Sequence, residues 1–281
     1  MKKTIVLFII IFNFSTLFSQ TKSDLEKLVE TEQSFAQAAA EKGIKPAFLE
    51  FLADDGILFR PNAVNGKESW LARPASPALL SWYPTFVDVS SNGVLGYTTG
   101  PGEYRPNGKA DTTVYYSEYA TLWRRQPDGN FKAVVDIGIS HDKPPTADTS
   151  WTSPKVTEKI TDGNKTLAAN AMNLFFDTAT TKGLDKAYKL FAAEDVRFLR
   201  DEKFPILGKN NALAEVKNKP KISFGKNVTI QSAGDLAYLN TTYQLKKGDK
   251  IIEQGNIMQI WKLRGGKWQI VLDIFAPIPS K

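Results

Sequence analysis

The chain has 281 residues, of which 42% are hydrophobic and 23% charged, a composition typical of folded globular proteins rather than disordered ones. It contains no cysteine, which excludes disulfides, thiolate metal sites and a cysteine nucleophile. Its single histidine, His141, excludes a multi-histidine zinc site within one chain. We therefore predict neither a bound metal nor a cofactor.

The net charge of +6 is unevenly distributed along the sequence. Residues 20–142 hold 12 basic and 16 acidic side chains, whereas residues 166–281 hold 18 basic and 11 acidic ones. Opposite net charges on the two halves favour their docking on each other as a pseudo-dimer. The sequence has no nucleic-acid-binding motif or aromatic-basic repeat, so we predict no nucleic-acid partner.

Residues 1–19 differ in character from the rest of the chain. Lys2 and Lys3 precede an apolar run that is short for a membrane span and lacks a basic stop sequence. This pattern is typical of a secretory signal peptide, with cleavage near Ser19–Gln20. We expect an exported protein, periplasmic or secreted, with no stable membrane anchor after cleavage. An uncleaved anchor is the alternative.

The first half, residues 20–142, begins with helical patterns. A capping box at Ser23–Glu26 predicts the start of a helix, and Gly43 predicts its end. A short second helix is expected over 47–52. Asp54-Asp55-Gly56 then predicts a turn, and residues 57–60 predict a strand.

Long strands are predicted in the remainder of this half. Residues 81–89 predict a strand that is interrupted at Pro84, because proline cannot donate a ladder hydrogen bond. A strand is expected over 94–99, and a long turn-rich connection over 100–109. The half closes with a predicted hairpin formed by residues 111–125 and 131–139.

A linker and a second copy of the same plan follow. Residues 143–165 contain Pro144-Pro145 and many Thr and Ser residues, which predicts a linker. Residues 166–281 then repeat the order of elements. The predicted helices lie at 166–181, 186–193 and 208–217, and the predicted strands at 195–199, 228–230, 236–245, 251–263 and 267–274.

Two stretches show the duplication most clearly, residues 119–138 and 259–275. Each carries a tryptophan before a glycine-containing turn (Trp123, Trp261) and an aspartate within the apolar run after it (Asp136, Asp273). Gly66-Lys67 and Gly208-Lys209 also match, as do further small, aromatic and acidic positions. We infer that one ancestral unit of a little over a hundred residues was copied.

The order of elements, together with these motifs, resembles the nuclear transport factor two-like superfamily. The residues that carry the likeness are the acidic pairs 54–55 and 194–195, the two Gly-Lys pairs, the segment 92–97, and the hairpin 122–137. The hairpin is most similar to the SnoaL-like and ketosteroid-isomerase-like branch. The resemblance implies an α+β fold with two cone-shaped domains, each a curved antiparallel sheet wrapped around N-terminal helices.

Asp136 and Asp273 are the first candidate functional residues. A carboxylate within an apolar strand either faces the cone, where burial raises its pKa and suits it to act as a general base, or completes a structural hydrogen-bond network. A two-residue turn at Gly265-Gly266 pairs Arg264 with Lys267 and places Asp273 on the opposite face from Trp261. A bulge in the longer first hairpin would change the register and reverse the face.

An aromatic strand face is the second candidate. Tyr115, Tyr119 and Trp123 share one face at a spacing of two, with Tyr97 alongside on the neighbouring strand. Mixed aromatic and hydroxyl groups suit a pocket for a flat, moderately polar ligand, and a filled sheet core is the alternative. His141 is a third candidate, either as an acid or base or as a solvated loop residue.

Three functions are therefore compatible with the sequence. The first is binding of a small, largely apolar molecule in the cone of one or both domains, through Tyr97, Tyr115, Tyr119, Trp123, Asp136 or Asp273. The second is an isomerase, cyclase or lyase that acts on a carbonyl compound with Asp136 as general base. The third is a non-catalytic structural or interaction module. The sequence does not decide whether the protein is an enzyme.

Overall fold

The computed structural model describes residues 15–145, 148–154 and 163–279. Residues 1–14, most of the predicted signal peptide, lie outside this range. Among the described residues, no helix is long and apolar enough to cross a membrane.

The first half contains three helices and seven strands. The helices are α1 (Ser15–Lys42), α2 (Ile44–Phe51) and α3 (Gly66–Leu71). The strands are β1 (Leu52–Phe59), β2 (Ala63–Asn65), β3 (Leu79–Trp82), β4 (Phe86–Val89), β5 (Leu95–Arg105), β6 (Tyr115–Arg125) and β7 (Phe131–His141).

The second half repeats this order. Its helices are α4 (Lys165–Lys182), α5 (Leu184–Phe191) and α6 (Lys209–Val216). Its strands are β8 (Ala192–Arg200), β9 (Ile206–Leu207), β10 (Lys221–Phe224), β11 (Thr229–Ala233), β12 (Leu236–Lys247), β13 (Lys250–Arg264) and β14 (Lys267–Pro277).

Each half forms its own seven-stranded sheet, and the two sheets have the same topology. The first runs β2-β1-β7-β6-β5-β3, with β4 also paired to β5. The second runs β9-β8-β14-β13-β12-β10, with β11 also paired to β12. All neighbours are antiparallel except β1 with β7 and β8 with β14. The predicted α+β class with two cone-shaped domains is confirmed.

The helices pack on the inner face of each sheet in equivalent ways. Phe35 of α1 contacts the rings of Phe48 and Trp123 at centroid distances of 4.8 and 6.1 Å. Phe175 of α4 makes the corresponding contacts to Tyr188 and Trp261, at 5.1 and 6.0 Å. Gly43 and Gly183 separate the two helices of each pair at φ 94° and 102°, a region that favours glycine.

Several predicted boundaries are wrong. Helix α1 begins at Ser15 and continues through the capping box instead of starting there. The predicted turn at 54–56 lies inside β1, where the pairing with β7 is irregular between Leu52 and Ile57. The predicted connection at 100–109 is strand as far as Arg105. In the linker, Thr152 pairs with Phe86 of β4.

The predicted facing of Asp273 is also wrong. Arg264 does pair with Lys267, but the register shifts where Ile260 pairs with Leu272 and Trp261 with Ile270. The extra residue, Val271, forms a bulge, which moves every later side chain to the other face. Asp273 therefore shares the inner face with Trp261.

The first hairpin carries the same irregularity. Leu122 pairs with Val135 and Trp123 with Ala133, which leaves Val134 as the extra residue. Asp136 consequently lies opposite Thr121 on the inner face. The bulge is thus a shared feature of both halves, and it places one aspartate inside each cone.

The outer faces of the two sheets pack against each other in one continuous apolar cluster. Burial of this surface is a favourable contribution that neither half can make alone. The main members are Tyr97, Ala120, Leu122, Val135, Ile137 and Ile139 from the first sheet, and Leu199, Tyr238, Met258, Ile260, Leu272 and Ile274 from the second.

Polar contacts at the margin of this cluster follow a pseudo-twofold pattern. Lys262 of the second half forms an ion pair with Asp88 of the first at 3.0 Å, and a further one with Asp235 at 3.4 Å. The equivalent residue of the first half, Arg124, reaches Gln231 of the second at 3.4 Å. Lys262 and both of its acidic partners are buried.

We predict that Lys262→Ala strongly destabilises the protein. Removing the lysine leaves the Asp88 and Asp235 carboxylates buried without a counter-charge, which costs about 3–5 kcal/mol. Urea unfolding followed by circular dichroism measures the change. Lys250→Ala, at an exposed position of the second half, is the control and should shift the free energy of unfolding by less than about 0.5 kcal/mol. Similar stability of the two variants would contradict the proposed role of the pair.

Candidate functional site

The interior of the first cone contains a buried carboxyl group on α1. Glu32 accepts hydrogen bonds from Trp82 Nε1, Thr98 Oγ1 and Trp123 Nε1, the last at 3.0 Å. The side chain is fully buried, and this burial raises its pKa to about 7 although the three donors oppose the rise. Desolvation thus outweighs hydrogen bonding at this site.

Sequence reasoning missed Glu32, although a signal was present. Leu28 and Phe35 lie on the apolar stripe of α1, and Glu32 falls between them at helical spacing. An acid on the stripe that faces the core must be buried with its polar partners.

A second carboxyl group, that of Asp136, lies in the same cone. Thr121 Oγ1 donates a hydrogen bond of 2.7 Å to it. Burial raises the pKa of Asp136, while Thr121 and the charge of Arg60 lower it. The negative charge of Asp136 in turn contributes to the raised pKa of Glu32, so the two carboxyl groups interact electrostatically.

Tyr119 completes this polar centre. Its hydroxyl is buried and has no hydrogen-bond partner among the described residues. Burial, followed by the charge of Glu32, raises its pKa well above the usual value. Tyr119, Trp123 and Asp136, three of the predicted site residues, are therefore brought together with Glu32.

The other candidates of the first half lie elsewhere. Tyr115 is at the rim of the sheet, 59% exposed, and its ring lies 6.3 Å from that of Tyr104. Tyr97 does not line the cone: it faces outward into the apolar cluster between the two sheets. His141 is the last residue of β7 rather than a solvated loop residue, and its ring lies 5.0 Å from that of Phe204.

In the second cone, the equivalent aspartate is fully neutralised by its neighbours. Asp273 accepts hydrogen bonds from Tyr188 Oη at 2.8 Å and from Gln259 Nε2 at 2.7 Å, and forms an ion pair with Arg200 at 2.5 Å. It is completely buried. In the structure Asp273 is thus occupied by three protein partners, and its predicted ligand-binding role stays a prediction. Met172 takes the place of Glu32, so the second cone lacks the equivalent of that buried carboxyl group.

Two glycines of the first cone correspond to aromatic residues of the second. Gly102 pairs with Trp82 in the first half, and Tyr243 pairs with Phe224 at the equivalent position of the second half. Gly138 pairs with Tyr119 as Phe275 pairs with Ile257. The rings of Tyr243 and Phe275 lie 4.4 Å apart, whereas the first half has no side chain at either corresponding position.

The same substitution determines where the equivalent arginines lie. The guanidinium of Arg200 sits over the rings of Phe198 and Phe275, at 4.3 and 4.4 Å, and binds Asp273. Arg60 has Leu58 and Gly138 at the corresponding positions and no such aromatic pair. Its guanidinium lies instead over the ring of Trp70, at 5.8 Å.

The free volume of the two halves differs accordingly. A cleft of about 670 Å³ opens in the first half between α2, α3 and the segment that leads into β3. Its apolar walls include Ile44, Phe48, Trp70 and Leu80, and Arg60 lies at its edge. The pocket in the corresponding part of the second half measures about 190 Å³ and is bordered by Phe275 and Arg200.

Asp136 and Tyr119 are not part of the lining of this cleft. Phe48 and Leu80 line it, and the ring of Phe48 lies 6.5 Å from that of Trp82, which donates to Glu32. Arg60 connects the two regions, because it borders the cleft and its positive charge acts to lower the pKa of Asp136. Among the described residues, no group of three or more acids and histidines could hold a metal ion.

Comparison with known proteins adds information about the fold. No family model and no curated protein matches the sequence. Similar solved structures include a candidate dehydratase of the NTF2-like family from Streptomyces avermitilis, 13% identical, with a TM-score of 0.36 over 41% of this chain and 96% of that one. A candidate ketosteroid isomerase from Parabacteroides distasonis is 15% identical, with a TM-score of 0.34 over 43% of this chain and 97% of that one.

A third similar structure is an NTF2-like protein of unknown function from Pseudomonas putida, 15% identical, with a TM-score of 0.36 over 41% of this chain and 87% of that one. Each match spans about one domain. These similar structures include proteins described as NTF2-like and as a candidate ketosteroid isomerase, the superfamily that the sequence resembles. At such identities the likeness concerns the fold alone.

We predict that Glu32 makes the protein less stable as pH rises. Its folded-state pKa of about 7 exceeds the ordinary value of 4.5, so the folded state holds the proton more tightly and stability falls as pH rises through this window. Between pH 5 and pH 8 the loss from this residue is about 2 kcal/mol. Urea unfolding of the wild type and of Glu32→Gln at both pH values measures it.

Glu118 provides an internal comparison. It is buried on the outer face, and burial raises its pKa to about 7 as well. Glu32→Gln should therefore remove only part of the pH dependence, and Glu118→Gln another part. An unchanged pH dependence in Glu32→Gln would contradict the assignment.

Proposed function

We propose that the first domain binds a small, largely apolar molecule in the cleft beside α2 and α3, and that the second domain is a filled structural partner. The supporting observation is the size of this cleft, about 670 Å³, against about 190 Å³ for the pocket in the corresponding part of the second half, which Phe275 borders. A cleft of this size, mostly apolar with a few polar groups, suits a small ligand.

The location of the protein is part of the same proposal. The basic and apolar pattern of residues 1–19 supports export, so the ligand would be met in the periplasm or outside the cell. Without disulfides, the fold would depend on its two apolar cores and on the cluster between the sheets.

A second candidate function is proton transfer on a carbonyl compound with Asp136 as base. The observation that favours it is the cluster of two carboxyl groups of raised pKa and an unpaired tyrosine hydroxyl in the first cone. Asp136 is partly exposed, unlike Asp273, so a ligand could reach it. Its absence from the cleft lining favours binding as the first candidate.

Cleft occupancy is tested by steric blocking. We predict that Ala75→Trp, at an exposed position that lines the cleft, weakens binding of the neutral fluorescent probe N-phenyl-1-naphthylamine by about tenfold or more, because the indole takes up ligand volume. Ala72→Trp is the matched control, since Ala72 is also exposed but does not line the cleft. Equal binding by both variants would place the probe elsewhere.

Proton abstraction is tested with 5-nitrobenzisoxazole, whose ring opening requires only a base. If Asp136 acts as that base, the rate rises with pH through its raised pKa, and Asp136→Asn lowers it by about a hundredfold or more. The melting temperature should change little, because asparagine still accepts the Thr121 hydrogen bond. No acceleration by the wild type, or the same rate in Asp136→Asn, would exclude this role. A large loss of stability would assign Asp136 a structural role.

A further inference from the structure

The cleft of the first half carries an unusual charge distribution. Its lining includes four basic residues, Lys42, Lys45, Arg60 and Arg73, and no acidic residue. This contrasts with the acidic balance of residues 20–142, which hold 16 acidic and 12 basic side chains. Positive charge is therefore concentrated around this cleft.

Among the described residues, three of these four side chains form no ion pair with an acid. Lys42 forms a surface ion pair with Glu50 at 2.9 Å, and Lys45 donates to the backbone carbonyls of Leu71 and Arg73. Among the described residues, neither Arg60 nor Arg73 forms an ion pair with a carboxylate. Both guanidinium groups therefore keep unused donors at the edge of the cleft.

Both arginine side chains lie against the same aromatic ring. The guanidinium carbons of Arg60 and Arg73 lie 5.8 and 5.3 Å from the centre of the Trp70 ring. Burial and then the Arg73 charge lower the pKa of Arg60, while Asp136 opposes them. Both side chains also line the cleft, so an anion bound there would lie near two positive charges and reduce their mutual repulsion.

The surroundings define the rest of the ligand. Ile44, Phe48, Leu80 and the Trp70 ring offer apolar contact surface inside the cleft. The indole N–H of Trp70 is buried and has no acceptor among the described residues. A ligand with one compact anionic group and a flat apolar body matches this arrangement.

We propose that the cleft selects a small amphipathic carboxylate, whose anionic group is bound by Arg60 and Arg73 and whose apolar body lies against Phe48, Leu80 and Trp70. This inference rests on the proposed binding function and names its ligand class. A planar guanidinium matches carboxylate geometry with two parallel hydrogen bonds. A free phosphate would leave the apolar wall without a contact.

The test compares two probes that share one ring system. 1-Anilinonaphthalene-8-sulfonate carries an anionic group, and N-phenyl-1-naphthylamine does not. In the double variant Arg60→Gln/Arg73→Gln, we expect the affinity for the anionic probe to fall by about tenfold or more, and that for the neutral probe to change less than about twofold. The exposed pair Lys247→Gln/Lys250→Gln removes the same charge from the second half and should change neither affinity.

Competition then distinguishes the anion class. Displacement of the anionic probe by 4-phenylbutyrate should occur at about tenfold lower concentration than displacement by 4-phenylbutyramide or by inorganic phosphate. Equal competition by phosphate and by the acid would overturn the carboxylate assignment.

The outcomes also distinguish failure of this inference from failure of the proposed binding function on which it rests. Equal loss of both probes in the arginine variant, or loss of neither, would overturn the anion site while binding in the cleft stands. Failure of both probes to bind the wild type would overturn the binding function itself, and the inference with it.

Discussion

The structure depends on a single extra residue in the last hairpin of each half. Val134 and Val271 bulge out of the pairing, and each bulge turns the following aspartate from the outer face to the inner one. A carboxylate inside an apolar cone must be neutralised by protonation, by an ion pair or by donors. The way in which each half neutralises its aspartate determines how the rest of its interior is occupied.

The second half meets it with a complete set of partners. Arg200 lies between Phe198 and Phe275 and reaches Asp273, while Tyr188 and Gln259 satisfy the remaining lone pairs. The guanidinium and its aromatic neighbours occupy the interior, so the same side chains that neutralise Asp273 also fill the cone. In the first half, Gly138 cannot support Arg60 in this way. Asp136 keeps only Thr121 as a close partner, and Arg60 stays at the cleft beside Trp70.

Much of this fold was predictable because it is repeated in the sequence. Each signal occurs in two independent copies: the two hairpins, the glycines at 43 and 183, and the common order of elements. The interruption at Pro84 separates β3 from β4 as expected. The bulges were harder to predict, since valine in a strand carries no signature of a bulge. Counting from the Gly265-Gly266 turn therefore placed Asp273 on the wrong face.

The site was only partly predictable for a related reason. Tyr119 and Trp123 share a face that strand periodicity identifies, whereas Asp136 joins them only through the bulge at Val134. Tyr97 lies on a neighbouring strand whose facing depends on register. Glu32 reaches Trp82, Thr98 and Trp123 only through the packing of α1 on the sheet, and Arg60 and Arg73 meet only at Trp70 of α3. The free volume of a domain depends on its folded structure. The absence of side chains at Gly102 and Gly138 is informative only when these positions are compared with Tyr243 and Phe275 of the second half.

A crystal structure of the full chain with bound 1-anilinonaphthalene-8-sulfonate would test the central claim most directly, namely that the open cone binds and the filled cone does not. The account predicts one probe molecule per chain, with its sulfonate between Arg60 and Arg73 and its rings against Trp70 and Phe48. A probe bound between Tyr243 and Phe275, or in the contact between the two sheets, would contradict it.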